Sequence, residues 1–163
     1  ARILGLNSVA ERYADIAKKM AMKWEEMANE GDHYRLAFDR NNTWSQKYNI
    51  IWDKMWNLNI FPNNVISKEI NYYLTKQNLY GLPLDSRRDY TKSDWIMWTA
   101  AMSPNREIFE KFVDPLYKYI NETTSRVPIS DWHDTKTGRM TGFKARSVIG
   151  GYWIQVLMDK MNH

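Results

Sequence analysis

The chain has 163 residues, of which 44% are apolar and 26% are charged, and this composition fits one globular domain and excludes a disordered segment. It contains no cysteine, which excludes disulfides, thiolate metal ligands and cysteine nucleophiles. Its formal net charge of +4 comes from Lys and Arg scattered among Asp and Glu, without a basic arm or a nucleic-acid-binding motif, so we expect no nucleic-acid partner.

The first predicted helix starts at Ser8, which forms a capping box with Glu11 three residues later, and stops before Gly31. Apolar residues recur between these signals at helical spacing, which indicates one buried face. The residues expected on that face are Tyr13, Ile16, Ala17, Met20, Ala21, Trp24, Met27 and Ala28.

A second and a third helix are predicted on either side of the short connection "LNIFPN". The second covers Ser45 to Asn57, and the third opens at Pro62, since proline is favourable in the first turn of a helix. A connection this short predicts an antiparallel hairpin.

The fourth helix is short, and Thr91 with Asp94 forms a capping-box-like start for it. Ser103 followed by Pro104 starts the fifth helix, which we expect Pro115 to kink or divide.

The sixth helix is predicted from Ala145 to Met161, although it contains Gly150 and Gly151. Because glycine lowers helix stability, this pair indicates close packing against a neighbouring helix or loop.

Long polar connections alternate with short ones in this predicted order. The long connections join helices 1 to 2, 3 to 4 and 5 to 6, and the last of them reads "SRVPISDWHDTKTGRMTGFKARSV". Because short connections make antiparallel hairpins, the three long loops should emerge at one end of the bundle, where function is commonly built. The sequence therefore predicts a single all-α domain over residues 1–163, with about six helices in antiparallel hairpins.

Acidic residues in or beside these loops are candidates for general acid and base catalysis. Asp131 lies beside Trp132, and an apolar neighbour raises the pKa of a carboxyl group as a catalytic acid requires. Asp94 starts the fourth helix, where a carboxylate also stabilises the helix dipole. Asp53 lies among Trp and aliphatic residues, where it either pairs with a base or faces a cleft. No Ser or Thr lies in a recognisable nucleophile elbow or beside an obvious base.

Neither a metal nor a cofactor is expected from the sequence. His33 and His133 lie in the long loops, but neither has a second His at helical or hairpin spacing. No apolar run approaches the roughly 18 residues of a membrane span. We therefore expect no metal site and no membrane span.

Three consecutive blocks of the chain resemble the glutaminase A family, which is known from fungi and gut Bacteroidetes. They are "GDHYRLAFDRNNTWSQKYNIIWDKMWNLNIFP", "EINYYLTKQNLYGLPLDSRRDYTKSDWIMWTA" and "DPLYKYINETTSRVPISDWHDTKTGRMTGFKARSVIGG". The resemblance extends from about Ala10 to Gly151. It implies a six-hairpin (α/α) toroid, of which this chain would form a C-terminal part. Since family members are much longer, we expect a fragment that is inactive alone, with faces that the remaining hairpins cover or that cause self-association.

The resemblance also implies hydrolysis of L-glutamine to L-glutamate and ammonia by an extracellular, periplasmic or cell-envelope protein, whose signal would lie outside this chain. The candidate site residues are chosen by their position in the long loops, because the resemblance assigns no role to any individual residue. Asp131, Asp94 and Asp53 are the catalytic candidates. We expect Arg87 or Lys47 to hold the substrate carboxylate and Trp44 and Trp132 to form walls. The complete substrate-binding set is Trp44, Gln46, Lys47, Tyr48, Asp85, Arg87 and Trp132.

Two alternatives stay open on the sequence. A glycoside hydrolase or sugar-binding toroid would keep the fold and would show flat aromatic platforms with two carboxylates at glycosidase separation. A non-catalytic helical domain would use its many aromatic residues as core and would have long loops that are mobile or far apart.

Overall fold

A computed structural model describes residues 1–161 and shows six α-helices and one two-stranded sheet in that range. The helices are α1 Asn7–Ala28, α2 Ile51–Met55, α3 Asn63–Leu74, α4 Ser93–Ala101, α5 Arg106–Glu122 and α6 Ile154–Met161. Antiparallel strands β1 Tyr90–Lys92 and β2 Trp132–Asp134 form the sheet, and 3-10 helices cover Arg2–Leu4, Tyr48–Ile50 and Ser147–Trp153. The all-α class is confirmed, and the small sheet is an addition that the sequence did not predict.

Helix α4 lies at the centre of the fold. Its residues Ile96 and Ala100 are fully buried, and it packs against α5, α6 and the 3-10 helix Ser147–Trp153. Its sequence "SDWIMWTAA" is apolar around most of the helix, which is the pattern of a helix buried on several sides. The remaining elements are arranged around this helix.

The glycine pair near the C-terminal end packs as predicted at one of its two positions. A Cβ atom on Gly151 would lie 2.8 Å from Trp98 Nε1 and 3.2 Å from Asp94 Cβ, whereas Gly150 has no heavy atom within 4 Å of that position.

The glycine pair also divides the predicted sixth helix. Residues Ser147–Trp153 form a 3-10 helix, and the α-helix begins only at Ile154. The low helix propensity of glycine accounts for the division.

The second helix is much shorter than its sequence predicts, because residues 44–47 pair with a distant loop instead. The Gln46 N–H donates to Leu84 O at 2.8 Å, and the Ser86 N–H donates to Trp44 O at 2.9 Å. These bonds hold the segment extended, so helical structure starts only at Tyr48. The predicted start at Ser45 is wrong.

Two predicted helix signals act differently in the structure. Helix α5 runs from Arg106 to Glu122 without a division at Pro115, and its N-cap is Asn105, whose Oδ1 accepts the Ile108 N–H at 3.0 Å. Ser8 lies inside α1 rather than at its cap. The starts of α1 and α5 are thus each shifted by two residues from the predicted caps Ser8 and Ser103, and Pro115 lies inside α5.

The apolar stripe of α1 is largely exposed. Tyr13 is 61% exposed and Met20 is 67% exposed, whereas Ala21 and Ala28 are buried. The helix was predicted correctly, but most of its apolar face has no partner within the described part of the chain. Exposed apolar stripes of this kind mark surfaces that other elements cover.

The three long loops contact one another, as the alternation of connection lengths predicts. The 44–47 segment pairs with residues 84–86, and β1 pairs with β2, so that Thr91 lies opposite His133. The Thr135 N–H also donates to Asp89 O at 2.8 Å. The loops therefore form one continuous surface.

Replacing Gly151 by Ala should destabilise the protein, because the new methyl group meets the rigid indole of Trp98. Overpacking of this kind costs about 1 to 3 kcal/mol. Gly150→Ala is the matched control and should be neutral or slightly stabilising, since its Cβ enters open space. The free energy of unfolding of each variant, measured by denaturant titration, checks this. Equal stabilities for the two variants would contradict the packing described.

Candidate functional site

An open pocket of about 370 Å³ lies between the 45–50 segment, the 84–87 loop and the start of α4. Five residues that the sequence predicted as substrate-binding line it together: Gln46, Lys47, Tyr48, Asp85 and Arg87. Ser45 and Trp95 line it as well. The residues that line the pocket thus include one guanidinium, one carboxylate, one amine, two carboxamides and the hydroxyl groups of Ser45 and Tyr48.

One wall of the pocket is aromatic. The rings of Tyr48 and Trp95 are stacked with centroids 4.0 Å apart and planes 8° from parallel. Burial raises the pKa of Tyr48, and the charge of Asp94 acts in the same direction. Tyr48 is therefore a neutral, flat surface suited to contact with methylene groups or a planar ligand.

The Asp85–Arg87 pair forms the charged side of the pocket. The buried Asp85 carboxylate accepts the Arg87 N–H at 2.8 Å, its Nε–H at 2.9 Å and its Nη2–H at 2.7 Å. The carboxylate raises the pKa of Arg87. The Arg87 side chain is still 56% exposed, so its guanidinium is fixed in position and keeps donors for a ligand. A fixed guanidinium is suited to bind a carboxylate.

Lys47 forms the interior of the pocket. Its Nζ lies 3.0 Å from Ser45 Oγ, 2.9 Å from Ser45 O and 3.1 Å from Tyr34 O. The Glu69 carboxylate is 3.8 Å away. Burial lowers the pKa of Lys47 below its ordinary value, and the charge of Glu69 opposes this. The result is an amine nearer to neutral than a surface lysine.

A buried carboxylate on α3 supports this interior. Glu69 accepts the Tyr34 N–H at 2.7 Å and the phenolic O–H of Tyr73, and burial raises its pKa. The Tyr73 oxygen in turn accepts the Lys47 N–H at 2.8 Å. Glu69 and Tyr73 therefore attach the pocket segment to α3.

Gln46 lines the pocket, but its side-chain amide is hydrogen-bonded to the neighbouring loop and to α4. Its Nε2 donates to Leu82 O at 3.1 Å and to Pro83 O at 3.0 Å, and its Oε1 accepts the Thr99 hydroxyl at 3.2 Å. These three bonds hold the 82–84 loop against α4. A direct contact of the Gln46 side chain with substrate stays a prediction.

Asp131 and Trp132 lie in a second cluster, apart from the pocket lining. Asp131 is fully buried, and its Oδ2 is 3.2 Å from both Lys92 Nζ and Arg146 Nη2. The Lys92 ammonium also lies 4.6 Å above the Trp132 ring. This arrangement favours a role of Asp131 in ordering the 125–146 loop. Neither Asp131 nor Trp132 lines the pocket, so the predicted roles of Asp131 in catalysis and Trp132 in binding gain no support from its geometry.

Asp94 lies between the two clusters. It directly precedes the pocket residue Trp95 and is only 4% exposed, and burial raises its pKa to about 6. The charge of Asp131 also raises this pKa, while the N–H groups at the start of α4 lower it. Asp94 is thus a predicted catalytic carboxylate whose pKa is raised towards neutral pH.

Asp53 and Trp44 lie outside the pocket lining. The Asp53 carboxylate accepts the N–H groups of Ile60 and Phe61, each at 3.0 Å, and so closes the turn after α2. The Trp44 ring is buried, with its centroid 5.9 Å from that of Tyr73. Both positions favour structural roles, and a role in catalysis or binding stays a prediction for each.

Ser45 and Glu69 are site residues that sequence reasoning missed. Ser45 and Lys47 were predicted to be helical, and residues two apart do not face each other on a helix. In the structure, the two side chains are in contact where the paired segment 44–46 ends. Glu69 follows Val65 by four residues and precedes Tyr73 by four, so a carboxylate on the apolar face of α3 was the available signal.

The two loop histidines have structural contacts. His33 Nδ1 lies 2.7 Å from Asp32 Oδ1, and His133 Nε2 lies 2.9 Å from Tyr80 O. Burial lowers the pKa of His133 to about 4. Within residues 1–161 no group of three or more His, Asp or Glu is placed to hold a metal ion. In the same range no helix is both long and apolar enough to cross a membrane.

Comparison with known proteins gives one family and two curated relatives. The model of the glutaminase A six helical-hairpin domain matches residues 1–156. Glutaminase A of Aspergillus oryzae is 32% identical over 156 residues, which cover 91% of this chain and 22% of that protein. A protein of Arthroderma benhamiae named "Probable glutaminase" is 26% identical, covering 98% of this chain and 22% of its own length. The chain thus spans about a fifth of these relatives, and no solved structure matches it significantly.

Asp94→Asn should stabilise the protein at pH 8 but not at pH 4. The folded-state pKa of about 6 lies above the ordinary value near 3.9, so the folded state binds more protons between these values. Stability is therefore lost as the pH rises through this window, and the penalty is fully present above it. Removing the charge should recover about 1 to 3 kcal/mol at pH 8. Denaturant unfolding at both pH values checks this, with the exposed Asp114→Asn as control; a variant less stable at pH 8 would contradict it.

Asp131→Asn should cost about 2 to 4 kcal/mol of stability, because it leaves Lys92 and Arg146 without their buried counter-charge. Asp89→Asn is the matched control, since Asp89 pairs with Lys136 at the surface, and should cost less than about 1 kcal/mol. Thermal unfolding of both variants, beside their enzymatic turnover, gives the answer. Loss of turnover with unchanged stability would instead support a catalytic role for Asp131.

Proposed function

This chain belongs to the glutaminase A six helical-hairpin family, and from that membership we propose that the full-length protein hydrolyses L-glutamine to L-glutamate and ammonia. The pocket lined by Lys47, Asp85 and Arg87 is proposed to be part of its substrate site. The observation that carries this proposal is a fixed guanidinium beside a buried amine and a hydroxyl group within one pocket of about 370 Å³.

The groups of the pocket correspond to the groups of glutamine. Arg87 would bind the α-carboxylate, since a guanidinium already held by Asp85 loses little freedom on binding. The stacked rings of Tyr48 and Trp95 would contact the two side-chain methylene groups. Lys47 would then lie towards the amide end of the substrate. A small zwitterion is thus held by polar groups at its ends and by an apolar wall between them.

The exposed face of α1 is proposed to pack against other hairpins of the full-length protein. Tyr13, Ile16 and Met20 are exposed on one helix, and the matched relatives are several times longer than this chain. An apolar stripe of this size needs a cover in a stable protein. We accordingly propose that the chain alone lacks activity. Location of the full-length protein outside the cell or in its envelope rests on the family resemblance alone.

Arg87→Ala in the full-length protein should raise KM for glutamine by about 10- to 100-fold, since a charge-assisted pair is lost, with a smaller effect on kcat. Arg88→Ala is the matched control, because Arg88 is exposed and does not line this pocket, and should leave KM unchanged. Ammonia release from glutamine is the measurement.

Three results would count against the proposal. An unchanged KM in Arg87→Ala would remove Arg87 from the substrate site. Glutaminase activity in the isolated chain would remove the need for other hairpins. Cleavage of oligosaccharides by the full-length protein, with glutamine untouched, would favour a glycoside hydrolase.

A further inference from the structure

Ser45 and Lys47 are in direct contact inside the pocket. Lys47 Nζ lies 3.0 Å from Ser45 Oγ, and both residues belong to the pocket lining. The contact forms where the paired segment 44–46 ends and Lys47 precedes the 3-10 helix Tyr48–Ile50. A serine hydroxyl within hydrogen-bond distance of a basic group is the arrangement that nucleophilic catalysis requires.

The surroundings of Nζ can hold both the ammonium and the neutral form of Lys47. A neutral lysine has two N–H donors and one lone pair, and two backbone carbonyls lie within reach, Ser45 O at 2.9 Å and Tyr34 O at 3.1 Å. In the ammonium form the three donors are used on these two carbonyls and on Ser45 Oγ at 3.0 Å. Once the amine has lost one proton and keeps its two donors on the carbonyls, its lone pair faces the Ser45 hydroxyl group.

Burial and the Glu69 carboxylate act on the pKa of Lys47 in opposite directions. Glu69 lies 3.8 Å away, and an ionised carboxylate there would favour the ammonium form. Burial, however, raises the pKa of Glu69 and lowers that of Lys47. Both shifts weaken the preference of the pair for its charged forms, and the neutral form of Lys47 is the one that can take the Ser45 proton.

We propose that Ser45 is the nucleophile and Lys47 the general base of this site, acting on a primary carboxamide through a covalent acyl-serine. The substrate, glutamine, rests on the proposed function, whereas the residue pair rests on the geometry around Nζ. Within the pocket lining, the Ser45 hydroxyl lies within hydrogen-bond distance of the Lys47 amine.

The chemical steps balance without a further reactant except water. Lys47 takes the Oγ proton while Oγ forms a bond to the carboxamide carbon. The C–N bond then breaks, and the nitrogen takes the proton from Lys47 and leaves as ammonia. Water attacks the resulting ester, giving its proton to Lys47, and Oγ departs from the carbon and recovers that proton. The products are glutamate and the free serine.

Reaction of the full-length protein with an alkyl fluorophosphonate tests the pair without glutamine. Ser45 Oγ should displace fluoride from phosphorus, and peptide mass spectrometry should find the phosphonate on Ser45. Ser45→Ala and Lys47→Arg should each lower glutamine turnover by about 100-fold or more. Ser45→Ala should also abolish labelling, and Lys47→Arg should slow it similarly, since arginine keeps the donors but cannot accept a proton.

The control variant is Ser86→Ala, because Ser86 lies on the neighbouring loop and its Oγ accepts only the Trp44 N–H, at 3.2 Å. It should keep both labelling and turnover. Thermal unfolding of each variant separates catalytic loss from unfolding, and Ser45→Ala removes a single oxygen atom.

Each outcome decides between the two proposals. Labelling of Ser45 that depends on Lys47, with glutamine turnover lost in Ser45→Ala, supports both. Glutamine turnover without any labelling of Ser45, or with full activity in Ser45→Ala, overturns the pair and leaves the proposed function standing. Labelling of Ser45 without glutamine turnover supports the pair and rejects glutamine as substrate. Neither labelling nor turnover in the folded protein overturns both.

Discussion

The buried contacts of Glu69 are the constraint on which the site depends. Its carboxylate accepts the Tyr34 N–H and the Tyr73 hydroxyl, and it lies 3.8 Å from Lys47. One side chain on α3 thereby holds the loop after α1 and the extended pocket segment in fixed relation. A carboxylate buried without these partners would cost several kcal/mol, so the network forms as a whole or not at all.

Helix α4 holds the aromatic wall of the pocket in place. It is buried on several sides, and its first turn presents Asp94 and Trp95 at the point where the three long loops meet. Trp95 forms the pocket wall with Tyr48, while Asp94 lies between the pocket and the Asp131 cluster. Since a helix packed on several sides cannot shift easily, the pocket wall has a rigid base.

The three predicted catalytic residues Asp131, Asp94 and Asp53 look alike in the sequence but have different surroundings in the structure. Asp131 has two cationic partners at its Oδ2 and is fully enclosed, whereas burial raises the pKa of Asp94 to about 6. Each of the two carboxylates has one oxygen atom without a hydrogen-bond partner among the described residues. Asp53 is occupied by backbone N–H groups. The contacts of each carboxylate are thus decided by its neighbours in the folded chain.

The sequence by itself determined the six helices, the alternation of short and long connections and the meeting of the long loops, because helix periodicity and connection length are local properties. It also predicted Lys47, Asp85 and Arg87 as substrate-binding residues, and the structure shows these three lining one pocket. Only the tertiary structure decided that residues 44–46 pair with the 84–86 loop instead of forming a helix, because the hydrogen bonds responsible come from Leu84 and Ser86, some 40 residues away. That pairing overrode the local helix signal, brought Ser45 to Lys47 and made the pocket.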